Sequence, residues 1–91
     1  MPQTKSRKRD LRRSAFRASL NRRRKRVVHQ AVRAALDAAR AGDDEQLRDA
    51  VRKAQRAIDL AEQKGPYHAN TAARKKARLM ASVNRLLAER P

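Results

Sequence analysis

Between Gly42 and Gly65 the apolar residues Leu47, Ala50, Val51, Ala54, Ala57, Ile58 and Ala61 recur at intervals of three and four, and this stripe commits the chain to packing helix on helix. At about 100° per residue these side chains fall on one side of a helix, opposite Arg48, Arg52, Arg56 and Asp59. The two glycines mark its ends. Gly42 is placed to close one helix in the left-handed conformation and Asp43 to cap the next, with Gln46 completing a capping-box pattern. Gly65-Pro66 is the second break, because proline disfavours helical geometry in the preceding residue and has no amide hydrogen to donate. An earlier stripe runs through Val28, Ala31, Val32, Ala35, Leu36 and Ala39. A later one runs through Ala72, Leu79, Met80, Val83, Leu86 and Leu87, with Lys76 as an exception near its start. Three stripes with short connections predict an all-α, three-helix antiparallel bundle. With one Phe, one Tyr and no Trp in 91 residues, the core falls to Ala, Leu, Val and Ile, and one small domain is the most the chain can build.

Charge divides the chain differently. Residues 1–33 carry thirteen Lys or Arg against the single acid Asp10, a net +12; residues 34–63 sum to −2 and residues 64–91 to +6, giving the overall +16. The division predicted is a basic arm, 1–26, continuous with the first helix, followed by a three-helix bundle, 27–91. Leu11, Phe16 and Leu20 are at roughly helical spacing, and Phe16, Leu20, Val27 and Ala31 fall near one line, so the first helix is expected to run back through the arm. Its charges surround it, however. Like charges at i,i+4 destabilise an isolated helix, so the arm is expected to be frayed or disordered when free and helical once phosphates surround it on several sides.

Such an asymmetry points to a polyanion, and +16 on a chain this short points to nucleic acid. Ten of the thirteen basic residues of the arm region are arginine, whose planar fork bridges phosphate oxygens and stacks on bases. In the last segment Arg74, Arg78 and Arg85 project within about 40° of one another, a second basic ridge with no acid interleaved until Glu89. Other chemistry is poorly supplied. Asp43, Asp44 and Glu45 are best explained as first-turn acids that favour the helix dipole. No nucleophile or glycine-rich phosphate cradle accompanies them, so no enzyme and no cofactor is expected. His29 and His68 are too far apart for metal-ligand spacing. His29 reads as packed or half-exposed, His68 as an RNA contact, a helix cap or neither, and Tyr67 as a base-stacking ring or, more commonly, a cover for the end of a bundle. Zero Cys excludes a disulfide framework, and no apolar run reaches the seven residues of a signal peptide or the roughly twenty of a spanning helix, so nothing argues for export or a membrane role.

The run Lys64-Gly65-Pro66-Tyr67-His68-Ala69-Asn70-Thr71-Ala72-Ala73-Arg74-Lys75-Lys76-Ala77-Arg78-Leu79 closely resembles the signature of the bacterial small-subunit ribosomal protein family numbered twenty. Matches fall at Lys64, Gly65, His68, Asn70, Ala72, Ala73, Arg74, Lys76, Ala77 and Leu79. The amino terminus is similar to that family too, at Lys5-Ser6, Lys8-Arg9, Arg17 and Asn21, as is the turn at Ala41, Gly42 and Asp43. The resemblance implies a bundle with a long first helix that binds 16S ribosomal RNA directly during assembly, in the cytoplasm, within the small ribosomal subunit. It further implies few or no protein contacts and no small-molecule substrate. The expected RNA-binding residues are Lys5, Ser6, Lys8, Arg9, Arg12, Arg13, Arg17, Asn21 and the run Arg22, Arg23, Arg24, Lys25 and Arg26 in the arm. From the signature come Lys64, His68, Asn70, Arg74 and Lys76; Lys75, within the same basic run, is expected with them, and the helical-face argument adds Arg78 and Arg85. After Asn21 the family mixes serine and threonine among its basic residues, whereas this chain has an almost unbroken Arg/Lys run and then Val27-Val28, so hydroxyl contacts from that stretch do not carry over. Two rival readings are a basic bacterial chromatin-type DNA-binding protein and, less favoured, a peripheral binder of anionic membranes, for which Leu11, Phe16 and Leu20 supply too little apolar surface.

Overall fold

The structure, a computed structural model, describes residues 5–89, so residues 1–4 and 90–91 of the expected arm and bundle lie outside it. Three helices account for nearly all of it: α1 over Lys5–Ala41, α2 over Asp44–Lys64 and α3 over Ala69–Ala88, with no strand among the described residues. Both turns work as the sequence predicts. Gly42 takes φ +83° and its amide donates to the Ala38 carbonyl at 3.2 Å. Asp43 caps α2, its carboxylate accepting from the Gln46 amide at 3.1 Å. Gly65 ends α2 at φ +107°, after which the Tyr67 amide reaches back to the Ala61 carbonyl at 3.2 Å. A Cβ at either glycine would meet open space, so the positive φ alone sets the requirement.

The three stripes turn inward to make the core. Seven of the thirteen buried apolar residues are alanines, which lets the helices approach closely and leaves the larger shapes to Val28, Leu47, Ile58, Tyr67, Leu79 and Val83. The core has two adjoining parts. At the α1–α2 turn, Ala35, Ala38, Ala39, Leu47, Ala54, Leu79 and Val83 pack together; at the other end Val28, Ala57, Ile58 and Ala61 meet Tyr67 and Ala72. Ala31 and Val32 pack against both parts and join them. Ala38 is a buried position that the sequence stripe did not include.

Helix length then determines the arm. α1 has 37 residues and α2 has 21, so about 16 residues of α1, or roughly 24 Å at 1.5 Å per residue, run past the end of their partner. Every residue from Lys5 to Ser19 is exposed, and partial burial begins at Leu20, Asn21 and Arg24, upstream of the expected border at 26. The molecule is accordingly 68 Å long but only 22 × 16 Å in section. From Lys5 onward the arm is one helix continuous with the core. Phe16 remains 65% exposed and Val27 48%, so the line through Phe16, Leu20, Val27 and Ala31 does not become a core seam, because no helix lies opposite its first half.

Two outcomes are expected. Ile58 is fully buried, so Ile58→Asp places an unpaired charge in a thin core and should cost several kcal/mol, abolishing the cooperative thermal transition followed by circular dichroism. Limited proteolysis of the free protein should cut first in the arm, up to about Arg26, where tertiary support is absent or sparse, and RNA should protect those sites; equal resistance without RNA would show that the arm is stable by itself.

Candidate nucleic-acid interface

All the charged side chains stay out of the core: no buried polar or charged residue occurs among those described, apart from the hydroxyl of Tyr67. Along the arm, Lys5, Ser6, Lys8, Arg9, Arg12, Arg13 and Arg17 are exposed on a helix with nothing packed against it. Arg22, Arg23, Lys25 and Arg26 are also exposed, while Asn21 and Arg24 are half-buried where the arm enters the bundle.

The second basic region begins at the same end of the molecule. Val28 of α1, Tyr67 of the α2–α3 turn and Ala72 of α3 belong to one apolar cluster, so the Arg22 to Arg26 run emerges from the bundle beside the segment that starts at Lys64. In that segment His68 caps α3, its Nδ1 accepting from the Asn70 amide at 3.2 Å, which leaves Nε2 as the protonated nitrogen of the neutral ring. Of the readings open for His68, the cap is the one the structure shows. Tyr67 is 7% exposed and closes the end of the bundle; its hydroxyl has no partner among the described residues, and burial raises its pKa above the ordinary value. The Lys75 ammonium lies 5.1 Å from the centre of the Tyr67 ring, a cation–π contact that holds this lysine over the turn.

Farther along α3, Arg74, Arg78 and Arg85 are exposed, whereas Lys76 faces α2. Its ammonium pairs with Asp59, and that hydrogen bond, helped by the attraction of Asp59 and Glu62, raises the Lys76 pKa against the opposing effect of burial. The break in the α3 stripe thus has a partner: Lys76 lies at the half-exposed margin between α3 and α2, with Asp59 opposite it. Asp59, placed by spacing among the outward charges of α2, is half-buried on the side toward α3, and the neighbouring Gln55 amide reaches the Met80 sulfur at 3.6 Å. Lys64, His68 and Asn70 are exposed around the turn. The structure therefore brings the arm base, the turn and Arg74 together at one end, carries the ridge along α3 to Arg85, and turns Lys76 away from it.

The exposed basic side chains of the arm and of α3 make an extended surface whose charge suits a polyanion. Its sequence is also held in common with known proteins: the profile of the ribosomal protein S20 family matches residues 2–84. The chain belongs to the ribosomal protein S20 family. Among the S20 proteins it is similar to, small ribosomal subunit protein bS20 of Thermomicrobium roseum is 39% identical over 90 residues, covering 99% of this chain and 91% of the relative. The bS20 protein of Methylocella silvestris is 37% identical over 86 residues, covering 94% and 98% respectively. That of Rhizobium leguminosarum bv. trifolii is 38% identical over 86 residues, covering 94% of each.

Within this S20-family chain the signature segment separates into residues that shape the turn and residues that present charge. Gly65, His68, Ala72 and Leu79 make the cap and the core; Arg74 and Arg78 face water. Spacing alone did not reveal the Lys76–Asp59 pair or the Lys75–Tyr67 contact, although a lysine inside an apolar stripe was a signal for the first. The division has a measurable consequence. Arg74→Ala should weaken binding to ribosomal RNA with little change in melting temperature, Lys76→Ala should lower the melting temperature more than it weakens binding, and Arg48→Ala, on the outer face of α2, should do neither; filter binding and thermal melts on the three variants would check this.

Proposed function

We propose that this S20-family protein is a structural constituent of the bacterial small ribosomal subunit that binds 16S ribosomal RNA directly and holds RNA helices together during assembly. The observation that carries the reading is the unaccompanied, all-exposed stretch of α1 from Lys5 to Ser19, a basic rod with room for RNA on every side. A rod of about 24 Å is long enough to run between neighbouring RNA helices and neutralise phosphates on more than one of them. Full-length similarity to proteins named for the small ribosomal subunit supports the same reading. The arm over 1–26 is the gripping part and the bundle over 27–91 the wedge that aims it, with Arg74, Lys75, Arg78 and Arg85 extending the contact along α3. The role is architectural and non-catalytic, carried out in the cytoplasm with the particle, and contacts with other proteins are secondary.

Recognition works through charge and shape. The arm presents guanidinium groups to phosphate oxygens and has one aromatic ring, Phe16, so it lacks the stacked aromatic platform of a single-strand sheet reader. The α2 face is nearly balanced in charge, which gives the molecule a side that RNA does not attract and so an orientation in the assembled particle.

Counterion release makes the mechanism measurable. Five or six phosphate contacts should give a slope of log affinity against log salt steeper than about −4. Replacing Arg22, Arg23 and Arg24 together by Ala should weaken 16S rRNA binding and flatten that slope without altering the thermal melt. A shallow slope for the unmodified protein, or equal affinity for duplex DNA, would overturn this function.

A further inference from the structure

α1 and α3 do not close completely on one another. Between them lies a groove of about 170 Å³, floored by the buried Val28 and Leu79, walled by the half-buried Val32 and Leu36, and rimmed by Lys75, Arg78 and His29, which is exposed where packing or half-exposure was expected. No acidic side chain lines it. The volume is well short of the roughly 300 Å³ at which sites for drug-sized molecules begin, so the groove admits one small ring system. The apolar floor selects a flat, weakly polar group, and the rim selects one whose attached chain is anionic. An aliphatic or aromatic side chain of a protein would suit the floor, but a peptide backbone brings no charge to the lysine and arginine above it. A nucleotide supplies both features, with a base for the groove and a phosphate for the rim.

From this geometry we infer that the α1–α3 groove is a receptor for one unpaired nucleotide, the base lying against Val32 and Leu36 and its phosphate held by Lys75 and Arg78. The inference rests on the RNA reading above and adds to it a single point of base contact in an interface otherwise made of phosphate contacts. Lys75 and Arg78 each have a position suited to this. Lys75 is held over the Tyr67 ring at the end of the groove nearest the arm. Arg78 belongs at once to the groove rim and to the exposed ridge with Arg74 and Arg85, so its guanidinium plane is available to cover a base while its charge meets the backbone. Bases displayed in bulges and loops are the parts of folded RNA open to this kind of capture, since paired bases present only their edges.

The chain has no cysteine, which permits a clean test at Ser82, a half-buried residue that also lines the groove. The variant Ser82→Cys is nearly isosteric and carries one thiol; Asp49→Cys, at an exposed position on α2, serves as the control. In a binary complex of the full chain with 16S rRNA, the thiol at position 82 should be protected from N-ethylmaleimide and the one at 49 should not. Alkylating Ser82→Cys before RNA is added should weaken binding about tenfold, in line with the loss of one stacked base, while the salt slope stays constant. Dimethyl sulfate probing should then show one or two unpaired bases, protected by the unlabelled protein, returning to full reactivity. Equal labelling with and without RNA overturns the inference. So does protection of the thiol with all base protections retained after labelling, because RNA would then cover the groove without entering it. If the unlabelled protein does not bind 16S rRNA at all, the RNA reading itself fails, an outcome distinct from binding that ignores the groove.

Discussion

The structure depends on the unequal lengths of two helices packed through alanine. α1 and α2 meet along a seam in which Ala35, Ala38, Ala39, Ala54 and Ala57 are buried, and small side chains let the two backbones approach closely for as long as both are present. α2 stops at Gly65 because the left-handed glycine and the following proline end it, while α1 runs unbroken from Lys5 to Ala41. The arm is what remains of α1 beyond the seam. Moving the Gly65 break one turn either way would lengthen or shorten the part of α1 that has a partner by about 5 Å.

Charge distribution follows the same division. A thin core tolerates no unpaired charge, and the residues that pack in it are apolar throughout among those described. The arm carries no such constraint and accumulates cations that no fold of 91 residues could hold inside. Their mutual repulsion opposes the helix, and continuity with the packed half of α1 favours it, since propagating an existing helix avoids the cost of nucleation. An RNA partner removes the repulsion, so binding and ordering of the arm are coupled in the mechanism proposed here.

The signature segment from Lys64 to Leu79 shows how one stretch of sequence serves structure and charge together. Gly65 turns the chain, Tyr67 seals the end of the core, His68 caps α3 and Lys76 ties α3 to α2 through Asp59. Each of these fixes the rotation of α3, and that rotation decides that Arg74, Arg78 and Arg85 form an exposed ridge beside the groove. A lysine that pairs across to α2 therefore bears on the direction in which the neighbouring arginines point.

The sequence by itself determined the three helices, both turns, nearly every core position and the two basic regions. These depend on local rules: apolar spacing on a helix, capping by Asp43, the positive φ of Gly42 and Gly65, and the sum of charges along the chain. Membership of a ribosomal protein family was legible in the same way, because the turn and its flanks are contiguous in sequence. Only the tertiary structure decided how far α1 runs past its partner, that Lys76 and Asp59 face one another, that the arm base and the α3 turn share one end, and that α1 and α3 leave a groove between them. The reason is that these features depend on the rotation and offset of one helix against another, set by side-chain shapes meeting across the core, and residues such as Val32 and Arg78 carry no local sign that they will stand on the same groove.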